Sequence, residues 1–211
     1  MKERPIVMTP ENAQKCHIGA KTQTRRLVKL PAWSTEVAED NARSCVPFCP
    51  YGQVGDRLWV RENGWERPAR TPKMLRDGAD TWERFYFDAL LDAGEAEELK
   101  GYGFKRRPSI HMPRWACRTV LEITDVRVER LQEISEEDAI AEGVTCLGGV
   151  NGTYDRDDFS GCWTNYSNTE TAAYWNSPID SYHSLWDSIN GVGSWALNPW
   201  VWVIEFRRSQ S

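Results

Sequence analysis

The chain has 211 residues, 40% of them hydrophobic and 27% charged, with 26 basic against 31 acidic side chains for a formal net charge of −5. That length supports one domain with a real core, and no apolar run approaches the ~20 residues of a membrane span. The acidic balance argues against nonspecific duplex binding, which runs on a broad positive field, but leaves room for a local basic pocket. The start, Met1-Lys2-Glu3-Arg4-Pro5, lacks the apolar core of a secretion signal, so the expected location is the cytoplasm, with no membrane partner.

Pro5-Ile6-Val7-Met8 predicts a short strand. Thr9 before Pro10-Glu11 predicts a helix start, with a hydroxyl N-cap, proline at the first position and an acid in the first turn. That helix runs from Glu11 to Ile18 and stops at Gly19, and Thr22 to Val28 reads as a strand. Between them lies Gly19-Ala20-Lys21-Thr22-Gln23-Thr24-Arg25-Arg26, which packs a lysine, two threonines and two arginines into six positions. These side chains offer a base, a nucleophile and an anion clamp, with Arg25 and Arg26 as the clamp. The geometry is awkward, because positions 21 and 24 point to opposite faces of a regular strand. The alternative is that Lys21 and Thr24 are ordinary polar residues at a helix–strand junction.

Residues 31–54 read as a loop. Arg57-Leu58-Trp59-Val60-Arg61 alternates as a half-buried strand, with Leu58 and Val60 on one face. Arg61 and Glu62 could pair there. Residues 64–108 are charged and irregular and read as a surface insertion, with a short helix near Asp88 to Lys100. Lys105-Arg106-Arg107 on its edge is a basic run that either steers RNA or is simply solvated. His111, Arg114 and Trp115 sit in a proline-flanked loop, where they contact a phosphate or a base, or pack the loop. Ala116 to Arg130 alternates as one long strand, bent or bulged near Thr124-Asp125.

Ser135 caps a helix whose first turn holds Glu136, Glu137 and Asp138, and Gly143 ends it. Residues 145–177 form a second insertion. Pro178 to Ile189 predicts a helix with Tyr182, Leu185, Trp186 and Ile189 on one face, and Pro199 to Phe206 a closing strand. Six cysteines form no zinc-like set beyond the Cys45/Cys49 spacing, so thiols are favoured over disulfides or metal, and no cofactor is expected. Most of the eleven tryptophans read as core and rim fillers. The pattern is α+β with a small mixed or barrel-like sheet.

The order of motifs resembles a known family. Gly19-x-Lys21-Thr22-x-Thr24-x-Arg26, then Gly55-Asp56 leading a strand, then Leu131-x-x-Ile134-Ser135-x-x-Asp138-Ala139-x-x-Glu142-Gly143-Val144, then Val203-Ile204-Glu205-Phe206 look like the ASCH domain of the PUA-like superfamily. Cys49 to Glu62, Ser109 to Trp115 and Leu185 to Gly191 are similar to the larger ASCH-like proteins of tailed phages and prophages.

The resemblance implies a single PUA-like domain over residues 1–211: a small mixed β-barrel with short flanking helices and two long insertions, about 64–108 and 145–177. It also implies a cleft that accepts RNA or a modified nucleoside. Some small members of the family hydrolyse the acetyl group of N4-acetylcytidine. Matched by motif, their base, nucleophile and acid fall on Lys21, Thr24 and Glu142, while Arg25, Arg26, Arg61, Glu62, His111, Arg114 and Trp115 become candidate substrate or nucleic-acid contacts. The alternatives are a noncatalytic module that binds RNA or a modified base, and a phage accessory protein that binds a host protein. A lysine serves as a base only when neutral, and bringing its pKa from ~10.4 to near 7 costs about 4–5 kcal/mol.

Overall fold

The computed structural model describes residues 1–29, 45–67, 72–147, 162–167 and 174–209. Contacts divide the chain into two compact units, each assembled from separated stretches: 1–18, 56–122 and 208–211 in the first, 19–55 and 123–207 in the second. Among the described residues no helix is long and apolar enough to cross a membrane.

In the first unit, β1 (Glu3–Val7) leads into α1 (Pro10–Ile18), whose start is capped as expected: Thr9 Oγ1 accepts from the Asn12 amide at 3.3 Å. β1 pairs in parallel with β3 (Arg57–Arg61), from Glu3↔Arg57 to Val7↔Arg61. The other edge of β3 pairs antiparallel with Val120–Glu122. On β3, Leu58 and Val60 are fully buried, so the opposite face carries Arg57, Trp59 and Arg61.

The stretch 64–108 is more ordered than its charge suggested. It contains a three-stranded antiparallel sheet of β4 (Gly64–Glu66), β5 (Phe85–Phe87) and β6 (Lys105–Arg107), with β4 in the middle. Two helices, α2 (Pro72–Arg76) and α3 (Ala93–Gly101), accompany it. Asp92 and Glu95 form a reciprocal capping box at the start of α3. Met74, Ala79, Leu99 and Phe104 make a core of their own, flanked by Trp82, Tyr86 and Tyr102. The apolar residues are too widely spaced in sequence to show a period, which is why the segment read as irregular. The basic run on β6 is largely neutralised, Arg106 by Asp88 (2.8 Å) and Arg107 by Glu66 (2.7 Å).

In the second unit, β2 (Gln23–Leu27) pairs antiparallel with β10 (Trp200–Arg208), from Val201↔Leu27 to Glu205↔Gln23. β7 (Val120–Arg130) continues into this unit. Its buried positions shift phase from Leu121 and Ile123 to Val126 and Val128, the one-residue slip expected of a bulge at Thr124-Asp125. α4 (Glu136–Ala141) is capped by Ser135, whose Oγ accepts from the Asp138 amide at 3.1 Å. Gly143, at φ 88°, turns the chain away after it.

α5 (Pro178–Asn190) is capped by Ser177 and buries Tyr182, Leu185 and Trp186 against Leu131, Ile134, Ala139, Val144, Val201 and Val203. Ile189, expected on the same face, is instead 48% exposed, because the last turn of α5 runs past the apolar cluster. Within the second expected insertion, β8 (Trp163–Thr164) and β9 (Tyr174–Trp175) form a small antiparallel pair, and Trp163 and Tyr166 pack on the α5 cluster. Residues 30–44, 148–161 and 168–173 of the two expected loops lie outside the described residues.

Ladder by ladder, the main sheet runs β1-β3-β7-β10-β2, mixed in direction. The protein is therefore α+β. The barrel expected from the resemblance is not closed: among the described residues no ladder joins β1 to β2, so the sheet keeps two edges.

Candidate functional site

Lys21 lies just before β2, and the main chain there is fastened on both sides. The Thr22 amide donates to the Ala141 carbonyl at the end of α4 (2.9 Å), and the Thr22 carbonyl accepts from the Phe206 amide on β10 (2.8 Å). This places the Lys21 amine against Glu142. Nζ donates to the Glu142 carbonyl oxygen and to Oε2, both at 2.6 Å. Both side chains are almost wholly buried, 3% and 4% exposed. The other carboxylate oxygen, Oε1, is buried without a hydrogen-bond partner, with Arg25 Nη1 3.5 Å away as a charge neighbour.

Arg25 continues the network on β2. Nη2 donates to Glu129 Oε1 (2.5 Å) and Asp138 Oδ2 (2.8 Å), and its side chain is fully buried. Burial opposes its charge, but Glu142, Tyr182, Asp138 and Glu129 outweigh that and hold its pKa above the usual guanidinium range. Arg127 on β7 donates through Nη2 to both oxygens of Asp138 (2.9 and 3.0 Å), through Nε to Glu129 Oε2 (3.2 Å), and to Glu205 on β10. Burial likewise opposes its charge and the bonds to Glu205 and Asp138 raise its pKa. For Asp138, burial pushes the carboxyl up, but the two arginines hold it below the ordinary range. Tyr182 on α5 lies 6.0 Å from the Arg25 guanidinium, and burial, followed by the charge of Glu142, drives its hydroxyl well above its usual pKa.

A cleft of about 330 Å³ opens beside this network, lined by Thr22, Gln23, Thr124, Glu137, Asp138 and Glu205 with Ala141 and Phe206. Its volume is at the lower end for small-molecule sites, roughly 300–1,000 Å³. Asp138 connects the cleft wall to both arginines. Lys21, Thr24, Arg25 and Glu142 do not line the cleft itself.

Thus the structure joins Lys21, Glu142 and Arg25. Thr24 is buried on β2 opposite Ile204, and no hydrogen bond links its hydroxyl to Lys21 or Glu142. Arg26 is half-buried on the same face of β2 as Thr24. Arg127, Glu129, Asp138, Glu205 and Tyr182 were not picked out as site residues. The alternation along β7 does place Arg127 and Glu129 on one face, whereas the sequence marks Asp138 only as a helix first-turn acid and a position of the resembling motif, with no site role.

The remaining candidates belong to the first unit. Arg61 and Glu62 do not pair, because adjacent residues diverge at a strand end. Glu62 is buried and held by Arg118, through Nη2 (2.6 Å) and Nε (3.0 Å), with Gln14 on the same guanidinium. Nothing in the sequence marked Arg118 as its partner. The Arg61 guanidinium lies 4.8 Å from the Trp59 ring. Arg114 grips Glu3 with two bonds (3.0 and 3.2 Å), which keep the Glu3 carboxyl below its usual pKa. His111 is exposed, and Trp115 is 45% exposed with Arg84 stacked 3.8 Å above its ring.

No protein-family model, no curated protein sequence and no solved structure matches this chain.

Proposed function

We propose that this is an ASCH-like hydrolase acting on an acylated cytidine-type nucleoside, with Lys21 as base, Thr24 as nucleophile and Glu142 as acid. The observation that carries the reading is the pair of 2.6 Å bonds from Lys21 Nζ to Glu142, made between residues 121 positions apart. The motif resemblance assigns a shared task to these two residues, and neither periodicity nor spacing required them to touch.

In this reading Glu142 takes a proton from the Lys21 ammonium, leaving a neutral amine. That amine accepts the Thr24 hydroxyl proton as the oxygen attacks the acyl carbon. Glu142 then delivers its proton to the departing cytidine amine, and water hydrolyses the ester left on Thr24. Oε1, the oxygen without a hydrogen bond, is the free acceptor that a base amine could occupy, and Arg25 holds the carboxylate in place. The test is incubation with N4-acetylcytidine and chromatography for cytidine. K21A and E142Q should each lower turnover by about 10²–10⁴-fold, and T24A should abolish the acyl-enzyme. Absence of turnover by the intact protein sinks the hydrolase.

A second reading, a module that holds the modified base without cleaving it, is favoured by one observation: the Thr24 hydroxyl is bonded to neither partner. Calorimetric binding of N4-acetylcytidine without turnover, unchanged in T24A, is its signature.

A further inference from the structure

Within the first unit, a hollow of about 270 Å³ lies between the small sheet and the start of α3. On the sheet side, Trp65 of β4 stands opposite Arg106 of β6 in register, so the indole and the guanidinium share one face. Asp88, Leu91 and Asp92 line the approach to α3. On the helix side the wall is made by Ala93 and Ala96, which lie one turn apart and leave space that longer side chains would fill. The volume falls below the roughly 300–1,000 Å³ of drug-sized sites, which suits one extended side chain or a small amine.

The lining divides by chemistry. Trp65, Leu91 and the two alanines offer an apolar channel for a methylene stem. The acidic part is two carboxylates, each with one oxygen in use. Asp88 Oδ2 accepts from Arg106 Nη2 (2.8 Å) and Nε (3.2 Å). Asp92 Oδ1 accepts from the Glu95 amide (2.8 Å) in the capping box. Among the described residues nothing bonds to Asp88 Oδ1 or Asp92 Oδ2. A guanidinium fork takes both oxygens of one carboxylate, and neither aspartate has both to give. An ammonium carries three donors and can take single oxygens from two different groups. The charge balance agrees. Asp88 and Asp92 oppose the single charge of Arg106, and the positive end of α3, about half an elementary charge, still leaves the sum negative.

We propose that this hollow binds a primary ammonium on an aliphatic stem, with the methylenes along Trp65 and Leu91 and the nitrogen between Asp88 and Asp92. That chemistry has two sources, a free diamine and the lysine side chain of a partner protein. None of these residues takes part in the Lys21–Glu142 chemistry, so failure to hydrolyse acetylcytidine leaves the proposal standing.

Two-dimensional NMR on the full nitrogen-labelled chain tests it, read at the Trp65 indole N–H, which is assigned by its disappearance in W65F. Cadaverine and Nα-acetyl-lysine methylamide are titrated in parallel. A saturable shift with either amine supports the site, and the tighter of the two identifies the source. The corresponding norleucine compound, which lacks the charge, and the arginine compound, which carries the fork, should bind about 10–150-fold more weakly than the lysine compound, the equivalent of one charge-assisted bond. D88N and D92N should each weaken amine binding by a similar factor. Asparagine caps a helix as well as aspartate does, so D92N keeps the start of α3. A96L fills the hollow with a good helix former and should abolish binding, with circular dichroism melts confirming that each variant is folded. No saturable shift with either amine overturns the proposal. So does norleucine or arginine binding as tight as lysine binding, or an affinity indifferent to D88N, D92N and A96L.

Discussion

Lys21 and Glu142 show how much one residue depends on another when both leave water. Their contact is good at 2.6 Å, yet the desolvation of two charges absorbs most of what the attraction returns. The fold tolerates the pair because each side chain has further support: the Glu142 carbonyl accepts from Lys21, and Arg25 stands behind the carboxylate. Removing a single partner strands the other. K21M should therefore cost about 3–5 kcal/mol in urea unfolding, and the double change K21M/E142M should recover a large part of that. A double variant no more stable than K21M would show that the pair is not a coupled unit. Under the proposed hydrolase reading, both variants should also lose turnover whatever their stability.

At the scale of elements, β4 depends on the smallest side chain. A Cβ on Gly64 would overlap the Phe85 ring and the Tyr86 carbonyl oxygen of the neighbouring strand. G64A should lower stability by about 1–3 kcal/mol through overpacking, measured as a lower urea midpoint, and an unchanged midpoint would mean that β4 and β5 do not pair as described. This small sheet is where the sequence was hardest to read. β1, α1, β3, β7, α4, α5 and β10 announced themselves through alternation, apolar helix faces, N-caps such as Thr9 and Ser135, and terminating glycines. β4, β5 and β6 are only three residues each, too short for a period to emerge, and their core residues come from four separate turns and helices. The site divides in the same way. Lys21, Arg25 and Glu142 stood out because a compact motif and a resemblance marked them. Arg127, Glu129 and Glu205 owe their place to strand register, which no local pattern encodes. Thr24 shows the limit of a motif: spacing set it beside Lys21 in sequence, but strand geometry gave its hydroxyl a different direction.

For the whole molecule, acid is the condition that should reveal how much these ion networks contribute. Asp138 is held below its ordinary pKa by Arg25 and Arg127 despite burial, which pushes the other way. Asp187 is also held low: burial again pushes up, and the Gly193 and Trp195 amides, the Ser194 hydroxyl and His183 outweigh it. A carboxyl whose folded pKa is depressed contributes stability above its unfolded pKa of about 3.9, and that contribution fades as pH falls through the folded value. Stability should hold between about pH 7 and 5 and decline below about pH 4. D187N should be less stable at neutral pH, by roughly 1–3 kcal/mol for the lost charge-assisted bonds, and the gap to the parent should narrow toward pH 3. A gap that stays constant with pH would assign the effect to packing instead of charge.

The β2–β10 ladder has a consequence for how the chain is made. β2 is an edge strand whose one ladder neighbour among the described strands is β10, and the register joins Gln23 to Glu205 and Leu27 to Val201. On the ribosome, β2 emerges long before β10. Until β10 is made, the segment carrying Arg25 lacks its ladder partner, and the apolar run Val201 to Ile204 that pairs with it does not yet exist. The nascent chain must hold this segment in reserve, a long-range closure that folds slowly and leaves an unpaired strand open to chaperones or to neighbouring chains until β10 follows.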